Sequence, residues 1–161
     1  MRKLLYIISG LIVLGMVACQ KDPSIEKTST YPLSGEWWVT LRDADGNVVA
    51  DYAKLLTYNT SSNKGDSLWI DDQGNIWTFK VKVGCDAKSK TFSVADSVTS
   101  VSEDYNIKID VKEGKVILKG GKTKNNNVSD SIYFKIGFGD DPGNTYVISG
   151  VRRTGFSDDD Y

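Results

Sequence analysis

The chain has 161 residues, 20 Lys and Arg against 21 Asp and Glu, two cysteines and no histidine. Charge this evenly balanced leaves no basic stripe for nucleic acid. The missing imidazole removes the commonest general base and the commonest transition-metal ligand; no resident cofactor or metal is expected, and any enzymatic chemistry would fall to carboxylates, Ser, Lys, Tyr or a borrowed ion.

The first element is a leader. Arg2 and Lys3 precede an apolar run from Leu4 to Val17, too short to span a bilayer and typical of a signal peptide. The run ends in Met16-Val17-Ala18-Cys19. Small residues before a cysteine resemble a bacterial lipobox, although Met16 stands where leucine is usual. The resemblance implies a signal peptide over residues 1–18, cleavage, and lipidation of Cys19. Two or three acyl chains, at about 0.8 kcal/mol per buried CH2, would make a stable anchor. Losing Arg2 and Lys3 from the 20 basic residues leaves 18 against 21 acidic ones, a formal charge of −3. Gln20-Lys21-Asp22-Pro23 resembles the surface-export signal of Bacteroidetes lipoproteins; a plain polar tether is the other reading. Residues 19–32 are expected to form a polar tether, whose stretch from Gln20 to Tyr31 spans at most about 40 Å. Residues 33–161 are expected to form the folded domain.

From Tyr31 onward the pattern is all-β. Trp37, Val39 and Leu41 alternate with Trp38 and Thr40. Trp77, Phe79, Val81 and Val83 alternate with lysines, and Ile132, Phe134, Ile136 and Phe138 with Tyr133, Lys135 and Gly137. Period two with one apolar face marks antiparallel strands half covered by a core. Strands are expected near 36–42, 48–58, 67–71, 76–83, 90–95, 105–112, 115–119, 130–138 and 145–152. Gly-Asn pairs at 46–47, 74–75 and 143–144, and Glu113-Gly114, supply the turns. Residues 60–66 and 120–128 read as polar loops, and Ser97 to Asp104 as room for a short helical turn. Eight or nine short strands imply a sandwich or a closed barrel.

The polar clusters carry little chemistry. Asp43-Ala44-Asp45-Gly46-Asn47 begins like a calcium loop, but Lys54 stands where the bidentate glutamate belongs. It and Asp71-Asp72-Gln73-Gly74-Asn75 read as hairpin turns. Asp140 and Asp141 are adjacent on a turn and cannot flank a scissile bond as glycosidase carboxylates do. Ser157 to Tyr161 reads as a solvated acidic tail. No G-x-S-x-G elbow occurs. With Cys19 acylated, Cys85 is a lone structural thiol without a histidine base.

Gly35-Glu36-Trp37 resembles the G-x-W that opens lipocalins and other calycin barrels. In those folds the tryptophan lies at the closed end beneath an arginine of the last strand, and Arg152 and Arg153 are the candidates here. The leader, SGEWWVTL at residues 34–41 and the C-terminal stretch from Asp140 to Tyr161 together resemble the Bacteroidetes family of lipid-binding putative hydrolases. The resemblance implies an antiparallel, lipocalin-like β-barrel of about eight strands, and it supplies no catalytic residues.

Alternation places Trp37, Val39, Leu41, Trp77, Phe79, Val81, Phe134 and Ile136 on the barrel lining, the candidate ligand-binding set. The expected function is a membrane-anchored lipoprotein of the outer membrane, exposed at the cell surface or facing the periplasm. It would bind a hydrophobic small molecule or lipid inside the barrel or at its mouth. The alternatives are a filled barrel that meets an envelope protein partner through Trp38, Tyr52 or Tyr133, and a histidine-free hydrolase.

Overall fold

The computed structural model describes residues 26–102 and 105–161. The expected leader, Cys19 and the tether up to residue 25 lie outside the described residues.

Nine strands follow in chain order: β1 (Gly35–Arg42), β2 (Val48–Asn59), β3 (Ser67–Asp71), β4 (Lys80–Asp86), β5 (Thr91–Ser93), β6 (Val98–Thr99), β7 (Lys108–Lys122), β8 (Val128–Phe138) and β9 (Tyr146–Arg152). All pairings are antiparallel. β1 lies between β2 and β9, with Trp37 opposite Leu55 on one side and Arg152 on the other. At the far seam Thr91 and Phe92 of β5 face Lys115 and Gly114 of β7. Eight strands therefore close a barrel, and β6 adds to the edge of β7 through Val98 and Ile109.

The inward positions are those the alternation marks. Trp37, Val39, Leu41, Phe79, Val81, Phe134 and Ile136 are at most 1 % exposed and belong to one continuous core with Leu55, Ile70, Ile109 and Ile148. An eight-stranded barrel is just wide enough for side chains to fill it, and these do so. Every fully buried side-chain polar atom among the described residues has a partner.

Several expected boundaries move, each for a local reason. Glu113-Gly114 is not a hairpin turn. It is a bulge inside a single long strand, where Glu113 takes φ 55° and the register with β8 shifts between Lys112 and Lys115. The bulge is what lets β5 reach β7. A Cβ on Gly114 would stand 2.3 Å from the Phe92 ring, so the seam needs glycine there. The expected strand over 76–83 starts only at Lys80, because Thr78 at φ 55° breaks the alternation. The expected loop over 120–128 shrinks to the turn between Lys122 and Val128. The described part of 97–104 holds β6 and no helix. At the N-terminal side, a short 3-10 helix (Tyr31–Leu33) seats Leu33 in the core, and Thr30 is fully buried, so packing reaches back into the stretch read as tether.

Candidate functional site

The two ends of the barrel are built differently. At the base, β1, the end of β9 and the Tyr31–Leu33 turn converge. The Trp37 indole N–H donates to Thr57 Oγ1 at 2.8 Å, and the Thr57 hydroxyl donates to the Leu33 carbonyl at 2.6 Å. The Arg152 guanidinium carbon stands 4.3 Å from the Trp37 ring centroid, a cation over an indole face. Arg152 donates to the Ser34 carbonyl, to the Pro32 carbonyl at 3.2 Å and to Asp130 at 3.0 Å. A Cβ on Gly35 would stand 2.2 Å from the Arg152 guanidinium nitrogen. The glycine of G-x-W thus leaves room for the arginine that covers the tryptophan two residues on.

Of the two candidate barrel-closing arginines, Arg152 covers Trp37, and Arg153 points to the outer wall. Arg153 donates to Glu36 at 2.9 Å and to both oxygens of Asp160 at 2.8 and 2.7 Å. Arg153, and then the Trp38 indole N–H at 2.9 Å, hold the Asp160 carboxyl well below the usual carboxylate range. Asp160, and then Glu36, hold the guanidinium above its ordinary value. Asp159 is buried, and accepts from Thr123 at 2.6 Å, Thr154 at 2.8 Å and Asn127 at 2.9 Å. Tyr161 stacks on Tyr52 at 3.5 Å and packs edge-on to Trp38. The residues expected to form a solvated tail are instead a clasp across β1, β2 and the β7–β8 turn, because Asp159 and Asp160 each meet donors from the barrel, and only Asp158 of the three stays exposed without a partner. Trp38 is partly covered by it, Tyr52 stays 44 % exposed beside the stacked Tyr161, and Tyr133 lies under Lys115, whose Nζ is 5.1 Å from the ring.

At the opposite end, the mouth, Trp77 leaves the lining. It is only half-buried, stacked on Phe138 at 4.2 Å with its plane 7° from parallel, and 5.4 Å from Tyr146. Asp72 positions it. This carboxylate is 1 % exposed and accepts five backbone N–H groups, from Gly74, Ile76, Trp77, Thr78 and Phe79, at 2.7 to 3.1 Å. One side chain thereby fixes the whole loop from β3 to β4. Around the indole stand acceptors. Trp77 Nε1 donates to Asp140 at 3.2 Å, the Tyr105 hydroxyl donates to the same oxygen, and the Tyr146 hydroxyl donates to Asp141. Tyr105, then Trp77, keep the Asp140 carboxyl below the usual range. A cleft of about 230 Å³ between Asp43, Asp45, Asn144 and Tyr146 opens beside this platform. It adjoins a groove of about 550 Å³ along the outer wall, past Asp110, Lys135 and Gly137.

The candidate lining set is therefore split. Trp37, Val39, Leu41, Val81, Phe134 and Ile136 pack against one another, Phe79 lies beneath Phe138 at 5.9 Å, and only Trp77 reaches solvent. Sequence reasoning missed Thr57, Asp72, Tyr105 and Tyr146. Tyr146 shares a face with Ile148 and was findable by alternation; the others needed contacts distant in sequence. The Cys85 thiol donates to the Gly65 carbonyl at 3.4 Å, and burial pushes its pKa up, away from thiolate chemistry.

Comparison with known proteins adds the family. A redesigned beta barrel is 22% identical, with a TM-score of 0.48, over 81% of this chain and 99% of its own. No curated protein matches this chain. The family model described as lipid-binding putative hydrolase matches residues 22–157, nearly all of the folded domain, and the chain belongs to that family.

Proposed function

We propose that the protein is a lipid-anchored envelope protein that binds a small amphiphile at the mouth of its barrel. In this reading Cys19 carries the anchor, the domain stands at the outer membrane on the cell-surface side, and the ligand lies on the aromatic platform of Trp77, Phe138 and Tyr146. The observation that carries it is the partly exposed Trp77 indole, held over the mouth by Asp72 rather than buried in the lining. An apolar surface with a few convergent polar groups is the usual character of a ligand site. The filled interior supports binding at the mouth rather than deep in the barrel. Asp140 and Asp141 can only accept hydrogen bonds when ionised. The ligand head would therefore be a hydrogen-bond donor or a cation, and its tail would cover the indole.

The test is a tryptophan-fluorescence titration with dodecylamine, dodecyl maltoside and laurate, each kept below its micelle concentration. Saturable quenching by the amine or the sugar head is expected, with laurate weaker, and Trp77→Ala should abolish it while the barrel stays folded. No saturable binding, or binding indifferent to Trp77→Ala, would overturn the mouth as the site. The anchor is tested separately, by mass spectrometry of the purified membrane-associated protein for an acylated N-terminal Cys19. Protease accessibility on intact cells tests surface exposure.

A further inference from the structure

The base of the barrel carries a cluster of exposed lysines, and the mouth carries more acids than bases. The loops at the base carry Lys64 after β2, Lys88 after β4, and Lys119, Lys122 and Lys124 where β7 turns into β8, all exposed. Among the described residues none of these five forms an ion pair. Of the acids at this end, Asp130 is engaged by Arg152, Asp159 by Thr123, and Asp160 and Glu36 by Arg153, while Asp66, Asp86 and Asp158 are exposed and form no ion pair among the described residues. The loops at the mouth carry Asp43, Asp45, Asp96, Asp140 and Asp141, against Arg42, Lys80 and Lys108.

Exposed apolar side chains accompany the lysines. Phe156 is 72 % and Val128 63 % exposed, and Ile117, Leu118 and Tyr31 are about half exposed. Ile117 and Leu118 precede the second bulge of β7, where Lys119 takes φ 54°, and Val128 opens β8 just past the same turn. The described chain also begins here: Ser29 donates to Asn63 in the loop after β2, which ties the segment before β1 to the base. Exposed lysines outside any ion pair, interleaved with large apolar side chains, match the chemistry of an anionic bilayer surface. The apolar groups enter the headgroup layer, the lysine stems follow them, and the ammonium groups stay with the phosphates.

We infer that the base of the barrel docks on an anionic lipid surface, with the β7–β8 turn as its deepest point and the acidic mouth turned away from the membrane. This does not depend on what the mouth binds. Like charge holds the mouth off the phosphates, so the two ends together set an orientation.

Depth-dependent quenching tests it on the full chain, with Cys85→Ala removing the background thiol. A bimane label is placed at Val128→Cys or at Asp45→Cys, and the protein is inserted into phosphatidylcholine vesicles with or without phosphatidylglycerol. Lipids spin-labelled near the headgroup should quench the label at position 128, only with phosphatidylglycerol present and less as salt is raised, and leave the label at position 45 unaffected. Each lysine at an anionic surface contributes about fivefold. Lys119→Glu, Lys122→Glu and Lys124→Glu together should therefore lower the docked-to-free ratio by about a hundredfold or more. These positions are exposed, and unchanged tryptophan emission shows that the variant is folded. Equal quenching at both positions, stronger quenching at position 45, quenching indifferent to anionic lipid, or no association with the vesicles would each overturn the orientation.

Discussion

The base and the mouth each set a tryptophan over the same core, and treat it in opposite ways. Trp37 is sealed: its N–H ends in a relay through Thr57 to a carbonyl, and its face is under Arg152. Trp77 is held by its backbone, through Asp72, while its ring stays partly exposed over Phe138. A side chain whose every contact is internal contributes stability. One that is positioned at structural expense and left open contributes a surface. On the reading proposed above, the contrast gives the buried interior of the base to the fold and the mouth to ligand binding.

The assignment is breakable in order of effect. Trp37→Ala removes the largest core side chain and should cost about 3–5 kcal/mol by chemical denaturation; a loss under about 1 kcal/mol would remove the base from its structural role. Asp72→Ala strips five backbone donors of their acceptor and should cost about 3 kcal/mol, while Asp72→Asn, keeping one acceptor oxygen, should cost less. If amide exchange in residues 73–79 did not accelerate in the alanine variant, Asp72 would not be what holds the loop. Gly35→Ala should push the Arg152 guanidinium off Trp37 and cost about 1–3 kcal/mol, visible as a shift in Trp37 emission. Trp77→Ala should cost only about 1 kcal/mol, the worth of its aromatic contacts, yet remove amphiphile binding. The reverse outcome, large destabilisation with binding intact, would exchange the roles of the two ends.

The smallest effect is a pH dependence of the clasp. The carboxyls of Asp159 and Asp160 sit below their ordinary value of 3.8 because Thr123 and Arg153 bond their ionised forms. Their contribution is complete above that value and is lost as the pH falls through the lowered folded values. Acidification should therefore release Tyr161 from Tyr52 and Trp38 before the barrel opens, read by Trp38 fluorescence against circular dichroism of the strands.

Much of this was written in the periodicity. The inward faces of β1, β4, β8 and β9 follow from alternation alone, because an eight-stranded barrel admits one register with its apolar face inside. The bulge at Glu113-Gly114 could not be told from a turn, since positive φ serves both and only Phe92 across the seam decides between them. Trp77 was legible as apolar but not as displaced: the break comes from Thr78, a residue type with no preference for positive φ. Asp72 sat in a cluster that reads as an ordinary turn. The clasp joined Asp159 to Thr123 across 36 positions, a distance over which pattern is silent.

The pairing of β1 with β9 also sets an order in time. Trp37 and Arg152 are neighbours in space and 115 positions apart in the chain, so the base is a contact of high sequence separation, slow to close. Until β9 arrives, β1 and β8 are two bare edges able to pair with any other extended chain. Synthesis or export interrupted before Tyr146 would leave a half-wound sheet prone to aggregate. A truncation at this point should yield aggregate rather than a weaker barrel, and the last strand is the one that makes the molecule safe.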